Sequence, residues 1–263
     1  MLTLVGHGYV GQAIAKRLAE KNISFAWTRH TDSWKPTGPV INAAGYTGFP
    51  NVDACEAHKH ETMEGNVYWP IKCEEIAGSY PVVHITSGCI YNGPKPGGYT
   101  ETDEPNFTGS YYSHTKALAQ KALEPVMGKS YLMRMRMPFG VQNHHKNLLT
   151  KLTNYPTLID GFNSVSRVED VAKVAIFFAQ ALPAPGIYNL VNPGPVWTHE
   201  IVQMMGLRKK WFDEKGFNDS VKAPRSFCVL NSDKLQAVYP LDDAKTALTK
   251  CIVTETLAEP VAA

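Results

Sequence analysis

The chain opens with Met1-Leu-Thr-Leu-Val-Gly-His-Gly-Tyr-Val-Gly11, an apolar run that leads directly into three spaced glycines. Residues 2–5 have the length and composition of a buried strand. Ile14 and Leu18, with alanines between them, then mark one face of a helix that reaches about Lys21. The segment thus predicts a strand, a glycine turn and a helix.

The glycine turn has the spacing of a dinucleotide-binding loop. Glycines between a strand and a helix let the backbone turn tightly and approach a pyrophosphate, whose charge then meets free N–H groups at the helix start. We therefore predict that Gly6, Gly8, Tyr9, Val10 and Gly11 contact a dinucleotide cofactor. A glycine-rich turn that binds no ligand is the alternative.

The rest of the chain continues the alternation of strands and helices. Apolar runs predict further strands at residues 23–27, 39–44, 82–86, 131–137 and 186–191, and helices at 51–77, 111–125, 146–154 and 169–181. Pro70 should bend the longest helix, and the short polar linker before Pro39 leaves room for only a trimmed crossover. This order predicts an α/β fold: a Rossmann-like doubly wound parallel sheet with a smaller C-terminal substrate-binding lobe.

The predicted domains follow from where this pattern loosens. Residues 1–140 should form the cofactor-binding Rossmann domain, to which residues 166–192 return. Residues 141–165 and 193–263, which proline and glycine interrupt, should form the substrate-binding lobe. This lobe would cover the carboxyl ends of the strands, where ligands bind in such sheets.

Composition narrows the class of protein. The 263 residues carry a formal net charge of +2 and no basic stripe, which argues against a nucleic-acid partner. No run approaches the roughly 18 apolar residues of a membrane span, and the apolar N-terminus is too short for a signal sequence. The five cysteines show no C-x-x-C spacing, so we expect reduced thiols and a cytoplasmic protein. The pairs His58/His60 and His144/His145 lack further ligands at zinc-type spacing, so we expect no metal site.

The end of the second predicted strand indicates which dinucleotide binds. An NAD-binding fold usually carries an acid there for the ribose 2′-OH, whereas this chain has Arg29 and no carboxylate before Asp32. Because an arginine attracts a 2′-phosphate, we predict NADPH/NADP; a solvated surface arginine is the alternative. The small residues that end the third strand should also lie against the cofactor: Asn42, Ala43, Ala44 and Gly45.

A proton-transfer site is predicted between the fourth strand and the next helix. Ser87 ends the strand, while Tyr112 and Lys116 stand one turn apart on the helix, so that the ammonium approaches the phenol. This charge should lower the pKa of Tyr112 from about 10 and make it an acid or base near neutral pH. An ordinary surface pair is the alternative. Two other Tyr-x-x-x-Lys matches, at 68–72 and 91–95, are less suitable because a proline interrupts one and a Gly/Pro loop holds the other.

Longer segments of the chain resemble one group of enzymes. The segments are Val40-Ile-Asn-Ala-Ala-Gly-Tyr-Thr-Gly-Phe-Pro-Asn-Val-Asp-Ala-Cys-Glu56, Thr86-Ser-Gly-Cys-Ile-Tyr91, Glu104-Pro-Asn-Phe-Thr-Gly-Ser-Tyr-Tyr-Ser-His-Thr-Lys116, Arg134-Met-Arg-Met-Pro138, Asn147-Leu-Leu-Thr-Lys151 and Ala223-Pro-Arg-Ser226. In this order they resemble the extended short-chain dehydrogenase/reductases that act on nucleotide-linked 4-keto-6-deoxysugars. The nearest are the bifunctional 3,5-epimerase/4-reductases of UDP-L-rhamnose synthesis; the dTDP-4-keto-rhamnose reductases and GDP-L-fucose synthases are more distant.

The resemblance implies a role for each matching residue. Ser87, Tyr112 and Lys116 would carry reduction, and the last two would also contact the cofactor. Cys89 stands where the bifunctional members have an epimerising cysteine, and Lys151 stands where they have its partner acid. The residues expected to contact the sugar nucleotide are Thr47, Ser87, Asn147 and Arg225.

The predicted reaction is NADPH-dependent 3,5-epimerisation and 4-keto reduction of a nucleotide-linked 4-keto-6-deoxyhexose, with UDP favoured as the nucleotide. A separate 4,6-dehydratase would supply the substrate, and two copies of the chain could pair through helices beside the sheet. A plain 4-keto reductase, a GDP-L-fucose synthase-like enzyme and a non-catalytic NADP-binding regulatory subunit are the alternatives.

Taken without the resemblance, three of these residues have ordinary interpretations. Cys89 is then a small core residue, the commonest environment of a free cysteine. Lys151 and Arg225 are then solvated charges, and the neighbouring pair His144 and His145 could compete with Lys151 for the role of acid.

Overall fold

The computed structural model describes residues 1–126 and 128–258, and its centre is a six-stranded sheet. Every strand pair in this sheet is parallel. The strands in chain order are β1 (Leu2–Val5), β2 (Phe25–Thr28), β3 (Val40–Asn42), β4 (Val82–Ser87), β5 (Tyr131–Met135), β6 (Pro138–Phe139), β7 (Thr157–Leu158), β8 (Phe162–Asn163), β9 (Ser166–Arg167), β10 (Gly186–Asn189), β11 (Val196–Trp197) and β12 (Lys210–Trp211).

The order of the central strands is β10-β5-β4-β3-β1-β2. β2 and β3 therefore lie on opposite sides of β1, and the chain passes β1 between them through a linker, residues 29–39, that contains no helix. The predicted α/β doubly wound sheet and its trimmed crossover are confirmed. Ligands bind where the strand order reverses, which here is the carboxyl end of β1.

The helices in chain order are α1 (Tyr9–Glu20), α2 (Ala54–Ala57), α3 (Lys59–Met63), α4 (Trp69–Ala77), α5 (Tyr111–Leu123), α6 (Leu148–Asn154), α7 (Val168–Ala181), α8 (Thr198–Met204), α9 (Glu214–Ser220), α10 (Asp233–Gln236) and α11 (Ala244–Ala258). A π-helical turn, Glu64–Tyr68, joins α3 to α4, and a 3₁₀ turn, Glu124–Val126, follows α5. In the described residues no helix combines the length and apolar character needed to span a bilayer.

The prediction of a single bent helix over residues 51–77 is wrong in two respects. The helical region begins at Ala54 and is interrupted at His58, where φ is −113° and ψ is 59°. Pro70 lies in the first turn of α4, directly after the π-helical turn. A proline ring clashes with the preceding turn of a regular α-helix, and the wider π turn accommodates it there.

Two of the apolar cores in the described residues are larger than the others. The larger one lies between the central sheet and the packed pair α1 and α7, and includes Leu4, Ile41, Met133 and Phe178. The second lies among α6, α8, α11 and the short strands, with Phe139 and Leu248 at 0 % exposure. The short strands pair as β6–β9, β7–β12 and β8–β11.

Candidate active site

The carboxyl end of β4 brings a hydroxyl, a thiol and a phenol together. Ser87 is the last residue of β4 and is 6 % exposed. The backbone N–H of Cys89 donates to Ser87 Oγ over 3.1 Å, and the thiol stays partly exposed. The Ser87 hydroxyl is also hydrogen-bonded to the phenol of Tyr112. One strand end thus places Cys89 beside the Ser87–Tyr112 pair.

The start of α5 sets the positions of Tyr112 and Lys116. Ser110 caps the helix, because its Oγ accepts from the backbone N–H of Ser113 over 3.1 Å. One turn separates Tyr112 from Lys116, whose Nζ lies 5.8 Å from the centroid of the Tyr112 ring. Lys116 is 7 % exposed, so its ammonium is directed into the protein and not into solvent.

The direction of the Tyr112 pKa shift differs from the prediction. Burial raises the pKa of Tyr112 above its ordinary value, and the neighbouring Cys89 acts in the same direction, while the hydrogen bond from Ser87 opposes them. Burial also lowers the pKa of Lys116 to about 8. The loss of hydration destabilises the phenolate of Tyr112 more than the ammonium of Lys116 stabilises it. Tyr112 is therefore protonated at neutral pH and is suited to donate a proton.

A buried amide supports the same site from the π-helical turn. Asn66 is fully buried; its Oδ1 accepts from the N–H of Tyr46, and its Nδ2 donates to the carbonyl of Tyr46 and to Thr115 Oγ1. A Cβ added to Gly45 would lie 3.1 Å from Lys116 Nζ and 3.3 Å from Asn66 Oδ1. The ammonium and the amide therefore converge on Gly45, and a side chain at that position would displace them.

The glycine loop after β1 fits a bound pyrophosphate. Gly6 has φ of +110°, and a Cβ there would approach Ala44 N to 2.7 Å. A Cβ on Gly11 would lie 2.2 Å from the carbonyl oxygen of Gly6, so both glycines are required by the packing of the loop against Ala43 and Ala44. A Cβ on Gly8, in contrast, would meet nothing within 4 Å. Gly8 caps α1 without a side-chain hydrogen bond, which leaves helix N–H groups facing this open space.

This contrast predicts different results for two alanine variants. Gly8→Ala should keep the fold, because its φ of −75° suits alanine, but should weaken dinucleotide binding about tenfold by filling space next to the helix start. Gly11→Ala should cost about 1–3 kcal/mol of folding free energy through overpacking, which lowers the melting temperature by several degrees. Thermal denaturation and fluorescence titration with NADPH measure both effects. Unchanged NADPH affinity in Gly8→Ala would contradict the assignment of this loop.

Arg29 lies in solvent just beyond β2, beside a carboxylate. Its side chain is exposed, and its backbone N–H donates to Asp32 Oδ2 over 2.7 Å, a bond that lowers the pKa of Asp32. The next residue, His30, lines a cavity of about 370 Å³ together with Gly45 and Trp69. Arg29 is therefore accessible for the predicted contact with a 2′-phosphate. Asp32, the first acid after β2, accepts a hydrogen bond from its backbone N–H.

Asn42 is buried at the end of β3, so its side chain cannot make the predicted contact with the cofactor. It is 2 % exposed; its Oδ1 accepts from the N–H of Ala44 over 3.1 Å and from Trp69 Nε1 over 2.9 Å. Since Oδ1 is the acceptor, Nδ2 donates to His84 Nδ1 over 3.1 Å, and His84 Nε2 then donates to Glu74 over 3.0 Å. This chain of hydrogen bonds fixes the turn against which the cofactor would lie.

Of the residues predicted to contact the substrate, Asn147 is enclosed and Thr47 is accessible. Asn147 is 0 % exposed and caps α6, and its amide donates to the carbonyls of Gly140 and Gln142. The predicted substrate contact of Asn147 is thus replaced by a structural role. Thr47 is half-buried, and its carbonyl accepts from Lys146 Nζ over 3.3 Å.

Three cations, Lys146, Lys151 and Arg225, lie near one another on the Cys89 side of the site. Burial lowers the pKa of Lys151 to about 8, and the positive charges of Lys146 and Arg225 act in the same direction, whereas Cys89 opposes them. Arg225 Nη1 donates to Asp53 Oδ1 over 2.8 Å. Lys151 is therefore close enough to both Cys89 and Arg225 to interact electrostatically, and it can release a proton near neutral pH.

The comparisons with known proteins identify the family. The profile of the RmlD substrate binding domain matches residues 1–254. The chain belongs to this family. A bifunctional dTDP-4-dehydrorhamnose 3,5-epimerase/dTDP-4-dehydrorhamnose reductase of Arabidopsis thaliana is 32% identical over 272 residues, which cover 93% of this chain and 89% of that protein.

Two further matches extend this result. A trifunctional UDP-glucose 4,6-dehydratase/UDP-4-keto-6-deoxy-D-glucose 3,5-epimerase/UDP-4-keto-L-rhamnose-reductase of Arabidopsis thaliana is 31% identical over 259 residues, covering 89% of this chain but 38% of that longer protein. The crystal structure of a UDP-rhamnose synthase from Acanthamoeba polyphaga mimivirus superposes with a TM-score of 0.88 at 24% identity, covering 96% of this chain and 98% of that one. The predicted resemblance and the Rossmann-like fold are confirmed.

Two polar residues of this RmlD-family site were not predicted from the sequence. Asn66 belongs to a π turn, which no apolar spacing indicates. Arg136 follows β5, is 1 % exposed, and donates from Nη1 to Cys89 Sγ over 3.1 Å. It stands within a segment that resembles the family, but a contact between residues 47 positions apart gives no local signal.

Proposed function

We propose that this RmlD-family chain catalyses NADPH-dependent 3,5-epimerisation and 4-keto reduction of a UDP-linked 4-keto-6-deoxyhexose, giving a UDP-L-rhamnose-type sugar. The named relatives are reductases, and this chain is an oxidoreductase. The observation that carries the proposal is the presence of two reactive sets at the end of β4. Ser87, Tyr112 and Lys116 are suited to reduction, and Cys89 and Lys151 are suited to proton transfer at carbon.

Reduction of the ketone requires a hydride and a proton. When bound, NADPH supplies the hydride for C4. Tyr112 is protonated at neutral pH because burial raises its pKa, so its phenol donates the proton to the C4 oxygen. Ser87 donates a hydrogen bond to the same oxygen. Lys116 is charged below about pH 8 and favours the phenolate that remains after proton transfer.

Epimerisation requires removal of a proton next to the ketone and its return on the opposite face. Cys89 Sγ accepts the proton, the electron pair of the C–H bond forms a C=C bond, and the C4 carbonyl pair moves onto its oxygen. Ser87 and Tyr112 stabilise this oxyanion by hydrogen bonding. Lys151 then donates its ammonium proton to the carbon, the C=C pair forms the new C–H bond, and the carbonyl is restored.

The sugar nucleotide would lie between the end of β4 and the cations Lys151 and Arg225. Arg225 keeps guanidinium N–H groups beyond its bonds to Asp53 and to the carbonyl of Ala223, and it can bind a diphosphate oxygen. Thr47 borders the same space from the cofactor domain. A 4,6-dehydration reaction has to supply the 4-keto sugar, and the longer relative carries such an activity in its name.

The deciding experiment offers the purified protein NADPH and the UDP-, dTDP- or GDP-linked 4-keto-6-deoxyglucose in D₂O. We expect the UDP sugar to react fastest and its product to have the L-rhamnose configuration, with deuterium at C3 and C5 by NMR. A reduced sugar without deuterium or inversion would indicate the plain 4-keto reductase instead. NADPH binding without turnover of any sugar would indicate a non-catalytic subunit.

Deuterium incorporation at C3 and C5 is expected to fall as the pH rises through about 8. Lys151 donates only while protonated, and burial with Lys146 and Arg225 lowers its pKa to about 8. The rate of incorporation, followed by NMR in buffers on both sides of that pH, measures the midpoint.

The control is Lys146→Gln, which removes a charge that lowers the pKa of Lys151 but is not among the main influences on Lys116. The midpoint for incorporation should move to higher pH in this variant, while that for reduction of an epimerised sugar stays in place. A shift of both midpoints, or of neither, would remove Lys151 from the role of acid.

A further inference from the structure

Arg136 is a fully buried cation whose side chain reaches the reactive thiol. Its Nη1 donates to Cys89 Sγ over 3.1 Å and to Ser226 Oγ over 2.9 Å. Its Nη2 donates to the carbonyl of Ser226 over 3.0 Å and to Asn163 Oδ1. The guanidinium is therefore held by Ser226 and Asn163, and it presents one N–H group to the sulfur.

No carboxylate of the described residues pairs with this guanidinium. Its four hydrogen-bond partners are three oxygen atoms of neutral groups and one sulfur atom. Burial opposes its charge, but the negative charge that Cys228, Cys89 and Tyr112 carry when deprotonated raises the pKa of Arg136 above its ordinary value. A buried cation without a counter-ion is costly, so the site as built favours a negative charge close to Nη1.

Cys89 is the group best placed to carry that charge. Cys228 also lies near Arg136, but it is 2 % exposed and its Sγ contacts the carbonyl of Gly88 at 3.6 Å. Cys89 is partly exposed and stands next to Ser87 and Tyr112, where a ketone would bind. A charge-assisted hydrogen bond to its sulfur fixes the direction of Sγ and strengthens when the sulfur is anionic.

We propose that Arg136 is a positioning residue for epimerisation: its guanidinium orients Cys89 Sγ and stabilises the negative charge that the sulfur carries before it accepts the substrate proton. This inference rests on the proposed role of Cys89 as the base. In that step the thiolate becomes a thiol, and Arg136 keeps its hydrogen bonds to Ser226 and Asn163.

Alkylation of Cys89 tests the inference without any sugar substrate. Thiolates, not thiols, react with iodoacetamide, and peptide mass spectrometry gives the rate for Cys89 separately from the four buried cysteines. At about pH 7.5, Arg136→Met should react about tenfold more slowly than the wild type. Arg136→Lys, which keeps a positive charge, should recover part of the rate, and Cys228→Ser should react like the wild type.

The activity readout separates positioning from a general structural effect. In Arg136→Met, deuterium incorporation should fall at least as much as alkylation, whereas reduction of an already epimerised sugar should stay within about threefold of wild type. NADPH titration confirms that each variant is folded. If Arg136→Met does not fold, Ser226→Ala, which removes the hydroxyl that accepts from Nη1, should still slow alkylation by a smaller factor.

Wild-type alkylation rates in both Arg136→Met and Ser226→Ala would overturn the inference. An Arg136→Met enzyme that loses deuterium incorporation and sugar reduction by the same factor would also overturn it. Failure of the proposed function gives a different result. In that case the wild-type protein incorporates no deuterium, whatever the alkylation rates of the variants.

Discussion

Replacement of Tyr112 by phenylalanine is expected to slow reduction of the 4-keto sugar by about a hundredfold to ten-thousandfold, the usual contribution of a general acid. The phenol is hydrogen-bonded to Ser87 and stays protonated because burial raises its pKa, so it is the proton donor at the end of β4. NADPH affinity should change little, because the ring itself is retained.

The matched control for this variant is Tyr111→Phe. Tyr111 is the neighbouring residue on α5, and its ring faces the ammonium of Lys59 at 5.4 Å instead of the reactive cluster. Its loss should leave reduction within about twofold of wild type. Stopped-flow measurement of NADPH oxidation compares the two variants. A Tyr112→Phe enzyme that kept more than a tenth of the wild-type rate would assign proton donation to another group.

Apolar runs were sufficient to predict the parallel sheet, because strands buried on both faces consist almost entirely of apolar residues. Residues 2–5 became β1 as predicted, and the predicted strand at 82–86 became β4 with Ser87 at its end. The region 51–77 was predicted less well. Helical spacing continues across His58 and Pro70, and it contains no information about the φ of −113° at His58 or the π turn before Pro70.

The site was harder to predict than the fold because a polar residue at a strand end or helix start can bind either a ligand or the backbone. Asn42 and Asn147 stand where ligand contacts are expected, yet each is enclosed by hydrogen bonds within the chain. The pKa of Tyr112 rises where the spacing of Tyr112 and Lys116 predicted a fall, because spacing does not reveal desolvation. Arg136 reaches Cys89 only through the tertiary fold.

Replacement of Cys89 by alanine is expected to reduce deuterium incorporation at C3 and C5 by about a hundredfold or more, because general-base catalysis is lost. Reduction of an already epimerised UDP-4-keto sugar should persist, since Ser87, Tyr112 and Lys116 remain in place. The small change also avoids a large packing cost, as the thiol is partly exposed. NMR of the sugar in D₂O and NADPH oxidation measure the two reactions separately.

Cys228→Ala serves as the control for this separation. Cys228 is a buried thiol that also lies near Arg136, but its sulfur is directed at the carbonyl of Gly88 and not at the phenol of Tyr112. This variant should lose some stability through the cavity it creates, while it keeps both incorporation and reduction. Incorporation that survives in Cys89→Ala would leave the chain as a 4-keto reductase whose thiol has no part in catalysis. Equal loss of both reactions in Cys89→Ala would instead mean that the sulfur supports the shared oxyanion site, because proton removal from carbon is not needed for the reduction step.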